Sequence, residues 1–269
     1  MAYEKIALKR LTPNLGAEIG DVDLSRPLAE DVVREIRTAL AENLVIFFRD
    51  QSMTPAQQKD FGRLFGDLYT HPAAPKLVPD HPEILTVHAD ENSKRIDGEN
   101  WHSDVSCDLE PPMGSILYLT EVPAIGGDTL FASMYAAYDA LSPSMQQFVC
   151  GLTAMHDGNR QYAGRYAAQT SPANEHPVVC THPVTGKKAL FVNPIFTTRI
   201  VQLKPDESDA LLQFLFKQAQ RPDIQCRFRW RADSVAFWDN RCVQHMALWD
   251  YYPNRRHGHR VTIKGERPA

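Results

Sequence analysis

Over residues 31–43 apolar side chains recur at Val32, Val33, Ile36 and Leu40, the spacing of one helical face. The pattern then changes to the unbroken run Leu44-Val45-Ile46-Phe47-Phe48, the length of a buried strand. Thr54-Pro55-Ala56-Gln57 has the form of a capping box with proline at the first helical position, which predicts a helix to about Phe65. Further helices are expected over 133–141 and 206–218, the second turning Leu211, Leu212 and Leu215 inward together.

Short strand candidates lie between these helices. One covers 115–119; two more, 177–182 and 189–193, flank the hairpin signal Thr185-Gly186. Residues 225–231 alternate, with Cys226, Phe228 and Trp230 on one face and Arg227, Arg229 and Arg231 on the other. That is a strand with one wet face. Strands over 234–238 and 260–264 follow. Mostly antiparallel strands with decorating helices predict a mainly β sandwich or jelly-roll barrel, whose mouth would admit substrate to a buried site. Without an internal repeat, low-complexity tract or linker, residues 1–269 are expected to form a single domain.

Composition narrows the class. With 43% apolar and 23% charged residues the chain reads as a soluble globular enzyme. A net charge of -4 argues against a nucleic-acid partner held by a broad basic surface. The basic cluster Arg255–Arg260 reads by composition as a solvated face or an anion site. No apolar run is long enough to cross a bilayer, and Met1–Lys5 shows no export signal. The five cysteines are scattered without a C-x-x-C pair, which predicts reduced thiols in a cytoplasmic protein and no structural zinc.

His102-Ser103-Asp104 is the most informative chemistry. In an extended backbone residues two apart share a face, so His102 and Asp104 would both reach one metal. Such a pair often arises by chance. His245, which follows Trp238-Asp239-Asn240-Arg241 and precedes Arg256 and Arg260, is the candidate third ligand. His81, His156, His176, His182 and His257 read as surface or satisfied core residues. Two imidazoles and one carboxylate suit a non-haem Fe(II) site with open positions opposite the ligands. Arg256 and Arg260, four apart, would share a strand face, and a guanidinium fork grips a carboxylate with two parallel hydrogen bonds. One would anchor the distal carboxylate of 2-oxoglutarate; the other would serve the nearer carboxylate or an anionic substrate.

The chain resembles the taurine dioxygenase branch of the taurine/2,4-D dioxygenase family along nearly its whole length. The resemblance rests on the stretch from Leu15 to Leu24, on Asn100-Trp-His-Ser-Asp-Val105 and on Gly126-Gly-Asp-Thr-Leu130. It continues through the blocks around His176, His182, Asn193 and Phe196, then Trp238–Arg241, Gln244-His245, Asp250-Tyr251, Pro253, Arg255-Arg256 and His259-Arg260. It implies a double-stranded β-helix (jelly-roll) core, with iron on His102, Asp104 and His245. Arg256 and the Thr129 hydroxyl would take the distal carboxylate of 2-oxoglutarate, with Arg260 near its iron-side carboxylate and the substrate anion. Dioxygen is the other co-substrate. Because the Asp104 ligand is present, hydroxylation is the implied outcome, and family members often form dimers or tetramers.

For substrate, the resemblance implies a small sulfonate or alkyl sulfate held by His71 of His71-Pro72, by Arg260 and by Phe196 as an aromatic wall. Ala74 stands where the taurine-type pocket has a tyrosine, and Gly98 where it has an asparagine. Losing two donors disfavours taurine itself and favours a more apolar anion, including an aryloxyalkanoate. A zinc-type hydrolase on the same ligands would make no use of Arg256 and Thr129; a binding protein would need no full ligand set. The polar stretch 157–175 is the expected lid.

Overall fold

The computed structural model of the chain describes residues 3–71, 77–78, 80–162 and 171–269. Alternation explains its centre. The strand Val45–Phe48 is buried at every residue, because its two faces supply two different cores. Val45 and Phe47 join a cluster with Leu117, Phe131, Phe228, Trp238 and Val243. Ile46 and Phe48 join another with Ile36, Leu40, Phe61, Tyr118 and Phe237. A strand between two layers must be apolar throughout, which is what an unbroken run encodes.

That strand belongs to a nine-stranded sheet among the described residues. The path runs Ala7–Arg10, Ala17–Gly20, Val45–Phe48, Ser234–Asp239, Gly114–Glu121, Arg256–Ile263, His81–Ala89 and Leu77–Val78, with Leu68–Tyr69 also paired to Arg256–Ile263. Helices Glu30–Asn43 and Pro55–Arg63 contribute Ile36, Leu40 and Phe61 to the cluster on one face. A three-stranded sheet, Gln225–Phe228, Thr129–Ser133 and Val243–Ala247, packs on the other. Phe47 joins the layers, stacking on Phe228 at 3.8 Å and meeting Phe131 edge-on at 5.6 Å.

Mainly β with helices holds, but the jelly-roll expectation is corrected. Among the described residues no sheet closes into a barrel. Closure requires the outermost strands to pair, and the ends of the large sheet, Ala7–Arg10 and Leu77–Val78, pair only inward. The sheets meet through side chains instead. Periodicity reports which face of a strand is buried and is silent about edge pairing.

Helix expectations hold within a few residues: Glu30–Asn43, Pro55–Arg63 with the Thr54–Gln57 capping box formed, Met134–Asp139 and Pro205–Phe216. The Thr185-Gly186 hairpin joins Val179–Thr181 to Lys188–Leu190. The alternating strand stops at Phe228, though Trp230 is still buried. The last strand begins four residues early, at Arg256. Among the described residues no helix is long and apolar enough to cross a membrane. Phe47→Ala is expected to lower unfolding free energy by about 3–5 kcal/mol in a denaturant titration; a loss under about 1 kcal/mol would show the two layers are not joined through this ring.

Candidate active site

The site begins with a single β-bridge. His102 N donates to His245 O at 3.1 Å and His245 N to His102 O at 2.9 Å, adding one rung to the edge of the small sheet. The bridge sets the two imidazoles side by side, ring centres 4.1 Å apart. His245 sits mid-strand opposite Phe131, its ring 4.6 Å from that of Trp238. Gly98, at φ 86°, passes so close that a Cβ there would lie 3.0 Å from His102 Cε1. Glycine is what lets this loop lie against the imidazole, and Gly98 O accepts the amide of Ala247 at 2.8 Å.

Asp104 arrives differently from the expected strand. His102 alone makes a bridge, and the chain turns over 104–107, with Asp108 N donating to Val105 O. Val105 takes φ 48° there, an uncommon conformation for a β-branched residue. A buried asparagine holds the turn: Asn240 Oδ1 accepts the Asp104 amide at 2.6 Å, and its Nδ2 donates to the carbonyls of Asp104 and Pro112. Ser115 Oγ donates to Asp104 Oδ2 at 2.8 Å and Arg260 Nη1 to Oδ1 at 2.7 Å. The ligand atoms of His102, Asp104 and His245 all lie within 4.8 Å of one another.

The donor set fits a divalent metal. His102 Nδ1 lies 2.8 Å from Asn100 O; a carbonyl only accepts, so this nitrogen carries the proton and Nε2 keeps its lone pair toward Asp104. Burial pushes both histidines below their ordinary pKa, His245 furthest, so both are neutral as ligands must be. Burial alone would raise the Asp104 carboxyl, but the Arg260 guanidinium, with the Ser115 hydrogen bond, holds it well below the usual carboxylate range. The result is two neutral imidazoles and one carboxylate, the set that suits a non-haem iron.

Beside this triad a cavity of about 670 Å³ is lined by all three ligands and by Thr129, Arg256 and Arg260. Arg256 is 4% exposed, yet among the described residues no carboxylate pairs with it. Its Nη2 donates to Thr129 Oγ1 at 3.4 Å, and its Nε is buried with no partner. Arg256 and Arg260 both line the cavity, as their even spacing requires. His71 and Phe196 line it too, with Tyr162 between them: His71 Nε2 lies 3.4 Å from the Tyr162 hydroxyl, and the Tyr162 and Phe196 rings are 5.7 Å apart. Ala74 and Pro72, and residues 163–170 of the expected lid, lie outside the described residues.

A second buried cluster, His182, Asp239 and Cys242, has ligand-like atoms but no vacancy in its bonding. Arg241 donates to both oxygens of Asp239, and His182 Nε2 is 3.0 Å from one of them. His182 Nδ1 accepts the amides of Val184 and Thr185, so Nε2 bears the proton. This is a closed brace of the hairpin, in agreement with the structural reading of His182. Sequence reasoning missed the supports Asn240, Ser115 and Trp230; all stood inside patterned stretches but carried no signal of what they touch.

Comparison with known proteins decides the family. The family model described as taurine catabolism dioxygenase TauD, TfdA family matches residues 7–262. The chain belongs to this TauD, TfdA family. A Saccharomyces cerevisiae alpha-ketoglutarate-dependent sulfonate dioxygenase is 36% identical over 286 aligned positions, covering 98% of this chain and 68% of that one. An Acinetobacter baylyi alkylsulfatase is 33% identical, covering 98% and 86%. The crystal structure of a taurine dioxygenase from Burkholderia xenovorans superposes with a TM-score of 0.88 at 36% identity, covering 99% and 93%. With its His/Asp/His cluster, this TauD, TfdA member is a 2-oxoglutarate- and Fe(II)-dependent dioxygenase.

Asn240→Ala removes both bonds that hold the Asp104 turn while leaving every metal-facing atom in place. It is expected to weaken metal binding about 10- to 100-fold in an equilibrium titration; unchanged affinity would mean that Ser115 and Arg260 hold Asp104 without Asn240.

Proposed function

We propose that His102, Asp104 and His245 hold Fe(II), that Arg256 and Thr129 bind the distal carboxylate of 2-oxoglutarate, and that Arg260, His71 and Phe196 meet a small organosulfur anion. Residues 1–269 act as one dioxygenase domain in this reading. The observation that carries it is Arg256, a buried guanidinium in the cavity that holds the triad, with no counter-ion among the described residues. An unpaired buried charge is costly, and a bound dianion would supply the missing partner. A hydrolase on the same ligands would leave that cation without a purpose.

When bound, iron with 2-oxoglutarate and dioxygen supplies the oxidation, releasing succinate and carbon dioxide and leaving a hydroxylated substrate carbon. The chain's own contribution is placement. Arg256 and Thr129 hold the far end of the keto acid, which aims its other end at the triad. Arg260 keeps Asp104 ionised and oriented through Oδ1, and its Nε is buried without a partner among the described residues, a donor left over for an incoming anion. Val105, Phe131, Phe196 and Trp238 supply an apolar wall that keeps water away from the reacting carbon.

The substrate is a sulfonate or sulfate ester with an apolar body. The sulfonate dioxygenase and alkylsulfatase among the relatives support the anion. The body follows from the wall and from Gly98, whose backbone conformation and contact with His102 leave no side chain to recognise an amino end. Hydroxylation at the carbon bearing the sulfur or the ester oxygen gives an adduct that breaks down to an aldehyde and sulfite or sulfate.

Oxygen-dependent succinate formation across sulfonates, alkyl sulfates and aryloxyalkanoates tests this reading. Stimulation by an alkyl sulfate or alkyl sulfonate, absent in His102→Ala, is the expected result. Stimulation by carboxylates alone would overturn the substrate assignment, and turnover without 2-oxoglutarate would overturn the co-substrate assignment.

A further inference from the structure

Thr129 carries a hydroxyl that is both donor and acceptor, whereas an ionised carboxylate only accepts. A threonine serves such an anion only if its proton points outward. Two donors converge on Thr129 Oγ1: Trp230 Nε1 at 2.9 Å and Arg256 Nη2 at 3.4 Å. A hydroxyl oxygen has two lone pairs, and here both face a donor. Its proton is directed away from Trp230 and Arg256, and among the described residues it meets no acceptor. Indole N–H can only donate, so the Trp230 bond cannot reverse.

Trp230 touches the other half of the grip as well. The Arg256 guanidinium carbon lies 5.6 Å from the centre of its ring, within cation–π range. Phe228 meets the same ring edge-on at 4.9 Å, so the indole is itself held from the end of the small sheet. We infer that Trp230 is the positioning residue of the 2-oxoglutarate grip, turning the Thr129 hydroxyl into a committed donor and seating the Arg256 guanidinium. The inference rests on the reading proposed above, that Thr129 and Arg256 meet the distal carboxylate. Among the described residues the hydrogen bond and ring contacts of Trp230 go to Thr129, Arg256 and Phe228 and to none of the metal-facing residues, so its influence falls on the keto acid.

The test is equilibrium binding of 2-oxoglutarate to the full chain with Fe(II) under anaerobic conditions, followed by steady-state kinetics. Trp230→Phe keeps a ring beside Arg256 and removes the N–H. It is expected to weaken 2-oxoglutarate binding roughly five-fold, the worth of one hydrogen bond. KM for 2-oxoglutarate should rise alongside, with kcat and KM for the organosulfur substrate unchanged. In a Thr129→Val background the same substitution is expected to add nothing, because the residue acts through that hydroxyl. Unaltered binding in Trp230→Phe, or equal weakening with and without the Thr129 hydroxyl, would overturn the inference. Arg256→Ala separates the two levels: if it leaves 2-oxoglutarate binding intact, the reading of the pocket itself fails, whatever Trp230 does.

Discussion

The reciprocal pair of backbone hydrogen bonds between His102 and His245 is the constraint from which the rest of the site follows. It joins a loop to the edge of the small sheet and brings two imidazoles from distant parts of the chain to ring contact. The rung exists because Thr129–Ser133 already pairs with Val243–Ala247 and that pair packs through Phe131 on Phe47 and Trp238. Core packing therefore sets the spacing of the ligands. Asp104 is then brought up by a turn rather than by the strand, and Asn240, Ser115 and Arg260 hold it from three sides.

Two buried charged groups show how structure separates architecture from function. Around Asp239, Arg241 and His182 complete each other, and nothing is left for a ligand. Around Arg256 there is a hydroxyl, an aromatic ring and no anion among the described residues. Low dielectric makes the first arrangement a brace and the second a demand. The cavity beside the triad is where that demand can be met.

Much of this was legible in the sequence. His102, Asp104 and His245 were identified and do converge, and the even spacing of Arg256 and Arg260 does place both on one cavity. Side-chain periodicity and one capping box found four helices and the buried strand because burial acts directly on residue type, but not the short helices Pro143–Val149 and Asn159–Tyr162. It did not find the open sheets, since pairing at an edge is a backbone matter that leaves little mark on composition. Nor did it find the turn at Asp104, which depends on Asn240 far along the chain. Strands His81–Ala89 and Val243–Ala247 escaped notice because the histidines and glutamine among their apolar residues blur the alternation. Trp230 read as one more apolar position on a strand face; its N–H matters only once Thr129 is beside it.

The claim at the centre is that Arg256 is a buried cation kept for a ligand's charge rather than for the fold. Thermal unfolding of Arg256→Met, with and without 2-oxoglutarate, tests it most directly. An apolar side chain of similar length relieves an uncompensated charge, so the variant should unfold no lower than the parent, and the stabilisation that 2-oxoglutarate gives the parent should vanish. A variant that unfolds well below the parent yet is still stabilised by 2-oxoglutarate would contradict the account.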